Sequence, residues 1–353
     1  MTIVSAGITS SVPDADLVAV CRTLLGREPA AASRVGAGRN SRVFHVTLSS
    51  DGSLADSDHV VVKFYRHDPG DTRDRLATEF GALTFLWSNG VRTIPRALAE
   101  DRERYCAIYS YVKGDTPQAD AITADDIDAL VRFLADLQPL RALPESRQLQ
   151  AASEASFSLA DVVAHVEGRA DRLRQAAAGH DVLRVWMEGM FDPLLREVRE
   201  WLPAAAAAAH VSVDGELPMA ARTLSPSDFG FHNTIRCADG SLVFVDFEYF
   251  GWDDPAKTLV DLLLHPGMDL SDSLKGRFAD GLLAALIRIP GLVERARIVY
   301  PFFGLKWCLI LLNDFLPNRA TNASEEVRMG QLRKAEALAR RIHLQYRHNP
   351  FLA

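Results

Sequence analysis

The chain has 353 residues, of which 39 are Lys or Arg and 46 are Asp or Glu, so its formal net charge at pH 7 is −7. Hydrophobic residues make up 48% and charged residues 24% of the sequence, which argues against a disordered or fibrous chain. An acidic balance disfavours general nucleic-acid binding, since a phosphate backbone is met by clustered Lys and Arg. The length suits two domains that each bury a core.

Two further features of the sequence bear on the cellular compartment in which the protein is expected. The four cysteines lie far apart and form no Cys-x-x-Cys pair, so neither a zinc site nor a disulfide scaffold is indicated. The first residues lack a basic start followed by an apolar stretch, and no apolar run approaches about 18 residues. We therefore expect a cytoplasmic protein that has no signal peptide and no membrane partner. Both a monomer and a homodimer are open to it.

The first part of the chain alternates between helical and strand patterns. Residues 14–25, closed by Gly26, have the spacing of a short amphipathic helix. Helical spacing also predicts a helix over residues 72–87. Alternating apolar residues predict three strands, over residues 43–46, 60–65 and 106–112.

The second part of the chain has a different character. From about Thr123 the sequence is mostly helical and rich in Ala, Leu and Arg, apart from one β-rich segment over residues 224–250. The order of the elements therefore predicts an α+β, bilobal fold. A small antiparallel-β N-terminal lobe with one helix, residues 1–112, would be followed by a larger, mainly helical C-terminal lobe, residues 113–353.

Two charged residues interrupt apolar elements. Lys63 lies inside the strand pattern VVVKFY, where a lone charge would be costly to bury without a partner. Glu79 lies three residues after Leu76, at the edge of the apolar face of the predicted helix. The two side chains could neutralise each other in a functional site. These two residues alone are also consistent with an ordinary buried ion pair or with two solvated charges.

A glycine-containing loop, residues 35–43, leads into the first of the predicted strands, residues 43–46. It leads into a strand and not into a helix, which excludes a Walker-type phosphate loop and departs from a Rossmann motif. A glycine loop between two strands can lie over a triphosphate and offer it backbone N–H groups. Two glycines in a hairpin also fit an ordinary turn.

The strongest signal lies between Leu224 and Pro255. The apolar residues 242–245 predict a strand that ends at Asp246, and residues 234–236 predict its partner. A two-residue turn between them would place Asn233 opposite Asp246. Two oxygen ligands that meet at a strand end suit Mg²⁺, which leaves its other positions to phosphate and water.

Asp228 lies five residues before Asn233, in a loop that contains Pro and Gly. A loop carboxylate beside a metal pair could accept a proton from a substrate hydroxyl or orient that hydroxyl. Alone, Asp228 would more readily cap the loop through backbone N–H groups. Its spacing from Asn233 and Asp246 favours the catalytic interpretation.

These motifs resemble a known family. The pattern Asp-x4-Asn, a short hairpin, Asp-Phe-Glu and Gly-Trp-x-Asp-Pro is similar to that of the aminoglycoside phosphotransferase and choline-kinase-like enzymes. These are small-molecule kinases with a protein-kinase-like fold, and the resemblance covers most of the chain. It implies Mg²⁺-dependent transfer of the γ-phosphate of ATP or GTP. The acceptor would be a hydroxyl of a sugar, an amino alcohol or an aminoglycoside.

The resemblance also implies roles for individual residues. Asp228 would be the catalytic base, and Asn233 and Asp246 would bind Mg²⁺. Lys63 would hold the nucleotide phosphates and pair with Glu79. The full set of implied nucleotide-binding residues is Gly36, Gly38, Asn40, Ser41, Lys63, Glu79, Tyr109, Tyr111 and Val112.

The sequence departs from the family pattern at three positions. Pro226-Ser227-Asp228 replaces the usual His-Gly-Asp, and Glu248 occupies a position where glycine is usual. The carboxylate of Glu248 could face the metal, the substrate or solvent. His232 is expected to point to the other face of the strand from Asn233, as a structural residue. These departures keep a nucleotide-binding pseudokinase or scaffold open as the alternative, and a protein-directed kinase as a third reading.

Overall fold

The computed structural model describes residues 15–35, 41–49, 58–66, 73–317 and 323–352. The chain divides into two compact units. The first comprises Met1–Ser153 and Leu224–Trp252, and the second comprises Glu154–Thr223 and Asp253–Ala353. The lobe boundary at residue 112 stays a prediction.

The first unit contains a five-stranded antiparallel sheet in the order β1-β2-β3-β5-β4. Helix α1 (Ala15–Leu25) precedes the sheet, and helix α2 (Arg75–Ser88) lies between β3 and β4 in the chain. Asp74 caps α2 by accepting a hydrogen bond from Ala77 N–H at 2.9 Å. The strands are β1 (Pro29–Arg34), β2 (Ser41–Leu48), β3 (His59–Tyr65), β4 (Ala97–Asp101) and β5 (Cys106–Ser110).

The two faces of β3 have different roles. Val60, Val62 and Phe64 belong to a core cluster with apolar side chains of α1, β2 and β5. Because side chains alternate along a strand, Lys63 and Tyr65 project to the opposite face. Both are buried there as well. The apolar alternation of VVVKFY therefore predicts the core face correctly and leaves the lysine to be explained by the site.

The remainder of the first unit is built around α3 (Ala124–Asp136) and four short strands. In α3, the ring of Phe133 packs against Phe229, Phe244 and Phe247, with ring centroids 4.4 to 6.1 Å apart. This aromatic cluster supports the segments before and after the hairpin. The strands form two pairs, β6 (Thr223–Ser225) with β9 (Gly251–Asp253) and β7 (Thr234–Arg236) with β8 (Leu242–Phe244).

The register of the β7–β8 hairpin differs from the prediction by one residue. Thr234 pairs with Phe244, and Val245 N–H donates to the Asn233 carbonyl at 2.9 Å. Asn233 therefore lies opposite Val245, and the prediction that it lies opposite Asp246 is wrong. Asp246 follows the strand, with a left-handed backbone at φ +68°.

The turn explains this shift. Cys237 N–H donates to the Ser241 carbonyl at 2.9 Å, so three residues and not two form the loop. Gly240 closes it with φ +85°, the left-handed conformation typical of three-residue hairpin loops. Asp239 stabilises the turn by accepting hydrogen bonds from the N–H and the hydroxyl of Ser241, at 2.9 and 2.7 Å.

A second close approach joins the segment after β5 to the hairpin. Asp115 and Arg236 exchange backbone hydrogen bonds of 3.2 and 2.8 Å. Gly114 stands beside this bridge at φ +159°, and a Cβ placed there would lie 2.2 Å from the Arg236 carbonyl oxygen. Only glycine allows the two backbones to come this close.

The second unit is helical in the part of the chain that the structure describes. Its longest buried helix, α9 (Leu292–Leu311), packs against α4, α6, α7 and α10. The helices are α4 (Leu159–Ala177), α5 (Asp181–Trp186), α6 (Asp192–Ala208), α7 (Pro255–Leu264), α8 (Asp272–Ala285), α9 and α10 (Glu325–Gln345), with a π-helical turn at Met187–Phe191.

Segment Leu292–Phe315 is, within the described ranges, the one helix long and apolar enough to cross a membrane, by length and composition alone. Its mean hydropathy is 1.3, and 72% of its most apolar 18-residue window is buried inside the protein. The core helix of a soluble protein passes the same test. Its burial against four other helices accounts for its composition.

Candidate active site

The centre of the site is Lys63, which is buried among three carboxylates of the first unit. Its Nζ lies 2.6 Å from Glu79 Oε2, 2.6 Å from Asp246 Oδ1 and 3.5 Å from Glu248 Oε2. Burial alone would lower the pKa of Lys63, but these carboxylates raise it well above its ordinary value. Lys63 is therefore a permanent cation, and its predicted ion pair with Glu79 is present.

Glu79 on α2 is held from two further directions. Tyr65 donates a hydrogen bond to Glu79 Oε2 at 2.7 Å, and the Phe247 N–H donates to Oε1 at 3.2 Å. The hydroxyl groups of Tyr65 and Tyr109 lie 2.6 Å apart. Burial raises the pKa of Glu79 in spite of the opposing effect of Lys63. Tyr65 was not among the predicted site residues, although two-residue periodicity places it on the same face as Lys63.

Glu248 is buried, so the option that it faces solvent is wrong. Besides Lys63, it contacts Arg75, the first residue of α2, whose Nη1 lies 3.2 Å from Glu248 Oε1. The Arg75 guanidinium also lies over the ring of Tyr249, 5.5 Å from its centroid. Glu248 therefore joins the start of α2 to the segment that follows Asp246.

The loop that carries Asp228 has a conformation that glycine adopts readily. Ser227, which stands where the family pattern has glycine, has a left-handed backbone at φ +68°. Two hydrogen bonds hold Ser227 in this conformation. Its N–H donates to Ser225 Oγ at 3.0 Å, and its hydroxyl donates to the Ser153 carbonyl at 3.0 Å. These bonds stabilise the loop without the missing His and Gly.

Asp228 itself is partly open to solvent, with a side chain that is 42% exposed. Its carboxylate Oδ1 lies 2.9 Å from His232 Nε2. The expectation that His232 points away along a strand is wrong. Residues 231–233 form a 3₁₀ turn before β7 begins, and the turn directs the imidazole back to Asp228.

Asn233 connects the loop to the candidate metal position. Its Nδ2 donates to the Asp228 carbonyl at 2.9 Å, which fixes the orientation of the amide. Its Oδ1 is buried and has no hydrogen-bond partner among the described residues. An unpaired buried acceptor is rare in a folded protein. A hard cation would satisfy this oxygen, so Asn233 and the carboxylate of Asp246 fit a Mg²⁺ site by their chemistry.

A cavity of about 730 Å³ opens beside Lys63. Its lining includes Lys63, Glu79, Asp246 and the three predicted residues at the end of β5, Tyr109, Tyr111 and Val112. The ring of Tyr111 is stacked on His45, with ring centroids 4.0 Å apart. The cavity therefore brings together most of the residues predicted to bind a nucleotide.

The glycine loop is described only at its ends, and Val35 and Val43 there line the cavity. Gly36, Gly38 and Asn40 lie outside the described residues. Ser41 is buried in β2 opposite Tyr65 and is not one of the described residues that line the cavity. Their roles in nucleotide binding stay predictions.

A model of the family described as "phosphotransferase enzyme family" matches residues 31–297. The chain belongs to this family. The match covers the sheet, the Lys63 cluster and the Asp228 loop, so the sequence prediction of a phosphotransferase is confirmed. A comparison with curated proteins finds no match.

Solved structures with a protein-kinase-like fold are similar to the whole chain. The ADP-bound aminoglycoside phosphotransferase APH(2'')-Ib is 15% identical, with a TM-score of 0.59, over 97% of this chain and 100% of its own. Choline kinase LicA from Streptococcus pneumoniae is 14% identical, with a TM-score of 0.59, over 92% and 97%. The GDP and kanamycin complex of an APH(2'') enzyme is 15% identical, with a TM-score of 0.57, over 94% and 99%. At these identities the likeness establishes the fold, as predicted.

Proposed function

We propose that this family member is a Mg²⁺-dependent kinase that transfers the γ-phosphate of ATP or GTP to a hydroxyl of a small molecule. The acceptor would be a sugar, an amino alcohol or an aminoglycoside. The observation that supports the proposal most directly is the hydrogen bonding of the Asn233 side chain. One end of its amide holds the Asp228 backbone, and the other end is a buried, unpaired oxygen of the kind that Mg²⁺ binds.

The side chains present match the needs of phosphoryl transfer, which is mainly positioning and charge stabilisation. Mg²⁺, held by Asn233 and Asp246, would supply charge neutralisation on the phosphate oxygens. Lys63, fixed by Glu79, places a permanent positive charge beside the cavity. The part-exposed Asp228 accepts the proton of the acceptor hydroxyl. The oxygen of that hydroxyl forms a bond to the γ-phosphorus, while the bond between the γ-phosphorus and the nucleoside diphosphate breaks.

The donor follows from the same cavity. Similar structures contain ADP or GDP, and in this chain the residues at the end of β5 line the same cavity as Lys63. Both purine nucleotides are therefore tested as donors. A scaffold without activity has no chemical use for a complete set of base, metal ligands and lysine, which favours the enzyme over the pseudokinase.

The test is transfer of labelled γ-phosphate from ATP and from GTP, with Mg²⁺, to a mixed pool of sugars, amino alcohols and aminoglycosides. We expect a labelled small product with the native protein and none with Asp228→Asn, whose nucleotide affinity should stay close to native. Mass analysis of the product then names the acceptor class. Tight Mg²⁺-nucleotide binding without product from any pool member would favour the scaffold, and a fully active Asp228→Asn would contradict the assigned base.

A further inference from the structure

We propose that His232 is a positioning residue for this reaction, which holds the Asp228 carboxylate in the orientation that accepts the proton. The two side chains meet at 2.9 Å, between His232 Nε2 and Asp228 Oδ1. An ionised carboxylate only accepts hydrogen bonds, so the proton of this contact belongs to Nε2 of the imidazole. The inference rests on the proposed function, because it takes Asp228 as the base.

The backbone brings His232 to this position. Asn233 N–H and the Thr234 hydroxyl both donate to the Gly230 carbonyl, each at 3.0 Å. These two bonds fix the 3₁₀ turn of residues 231–233, which folds back over the loop. The imidazole is also only 20% exposed. Its contact with Asp228 therefore follows from the fixed path of the chain.

The main chain of Asp228 is held by other groups. Its carbonyl accepts from Asn233 Nδ2, and its N–H donates to the Pro226 carbonyl, both at 2.9 Å. Neither bond involves the imidazole. Removal of His232 should therefore leave the loop in place and remove one contact that orients the carboxylate about its side-chain bonds.

This rotation matters because the Asp228 side chain is 42% exposed. A part-exposed side chain populates several staggered rotamers unless a contact selects one. Proton transfer needs an orientation that brings the carboxylate oxygen to the reacting hydroxyl, and a misplacement of about 1 Å can cost about 100-fold in rate. The His232 donor on Oδ1 favours one orientation of the carboxylate before the acceptor binds.

The experiment compares His232→Ala, which removes the donor, with His232→Gln, which keeps an N–H donor of similar reach. The probe is γ-labelled MgATP, consumed by water and by the mixed acceptor pool. We expect His232→Ala to lower kcat about 10- to 100-fold, with unchanged KM for MgATP and unchanged affinity for MgADP. His232→Gln should recover most of the rate. The exposed His348, in the second unit, supplies the matched control His348→Gln.

The outcomes separate this inference from the function on which it rests. Native kcat in His232→Ala, together with an inactive Asp228→Asn, would overturn the positioning role and leave the kinase standing. An active Asp228→Asn would overturn the base and the inference with it. If His232→Gln binds nucleotide normally but recovers no rate, a hydrogen bond is not the reason for the effect.

A spectroscopic readout covers the case in which His232→Ala does not fold. In the ¹⁵N-labelled native chain, the imidazole signals that disappear in His232→Gln identify His232. We expect a protonated Nε2 whose chemical shift changes in Asp228→Asn. An unprotonated Nε2 in the native protein would overturn the proposal without any variant at position 232 being active.

Discussion

The two ends of the candidate site are stabilised in different ways. At one end, Lys63 is buried and ion-paired with Glu79 and Asp246 at 2.6 Å. At the other end, Asp228 is part-exposed and is held by hydrogen bonds from His232 and Asn233. The first arrangement uses charges in a water-poor environment, and the second uses the geometry of a loop.

This difference matches the role that we propose for each end in phosphoryl transfer. Charges that neutralise phosphate are most effective where water is excluded and where they need not reorganise. A base must instead stay accessible to the acceptor, so it cannot be fully enclosed. Substitutions at the Lys63 end should therefore reduce the stability of the fold, whereas substitutions at the Asp228 end should reduce the rate and spare the fold.

Lys63→Met should give the largest effect on stability. Removal of the Lys63 ammonium leaves buried carboxylates without their cation, which costs about 3 to 5 kcal/mol in the free energy of unfolding. The folded-state pKa of Glu79 is already raised by burial and should rise further, so the loss should grow as the pH rises above the ordinary value of 4.5. Urea unfolding at pH 5 and pH 8 measures both effects. The exposed Lys113→Met is the control, and an equal loss for the two variants would remove the contrast between the two ends.

Arg75→Met should give the next largest effect. It removes the hydrogen-bonded charge from Glu248, which is worth about 1.5 to 3 kcal/mol. Urea unfolding beside the exposed Arg66→Met measures the difference. If both variants unfold at the same urea concentration as the native protein, the buried bridge from α2 to Glu248 contributes nothing to the stability of this end.

Asp246→Asn should weaken binding of the Mg²⁺-nucleotide by at least about tenfold, or 1.4 kcal/mol. Asparagine tolerates the left-handed backbone of this position, so the substitution tests the charge and not the conformation. Titration with ATP in the presence and absence of Mg²⁺ measures the affinity. We expect the variant to lose the Mg²⁺-dependent part, and a native Mg²⁺ dependence would contradict the assigned ligand.

Glu154→Gln should give the smallest effect and should extend the comparison to the second unit. Burial would raise the pKa of Glu154, but Lys306, 3.5 Å away, and Arg169 outweigh it and lower the pKa to about 2. A lowered pKa adds stability above the ordinary value of 4.5 and loses it as the pH falls toward 2. Melting temperatures between pH 2 and 5 should fall less steeply in the variant. Parallel melting-temperature curves for the native protein and the variant would show that this part-exposed ion pair contributes nothing measurable to stability.

The charged end of the site could be predicted from the sequence because its signals are local. Lys63 in an apolar strand and Glu79 on an apolar helix face are anomalies that a reader can locate without a structure. The contact between Arg75 and Glu248 has no such signal, since 173 residues separate the two and neither interrupts a regular pattern. Long-range partners of this kind depend on packing.

The hydrogen-bonded end could be predicted only in part. The spacing of Asp228, Asn233 and Asp246 indicated the site, but the register depended on the turn type. The left-handed Gly240 and the hydrogen bonds of Asp239 select a three-residue loop, which the Asp-Gly pair alone does not specify. The position of His232 was missed for a related reason, because a 3₁₀ turn and not a strand begins at residue 231.

Gly114 imposes a limit on the sequences that this fold can use. Any side chain there would displace the Arg236 carbonyl, and Arg236 belongs to the hairpin strand that directly follows Asn233. In a library that samples all twenty amino acids along residues 110–118, position 114 should retain glycine alone among active clones. Because position 114 cannot accommodate even a methyl group, the sequence after β5 and the β7–β8 hairpin must change together if either is to change at this contact.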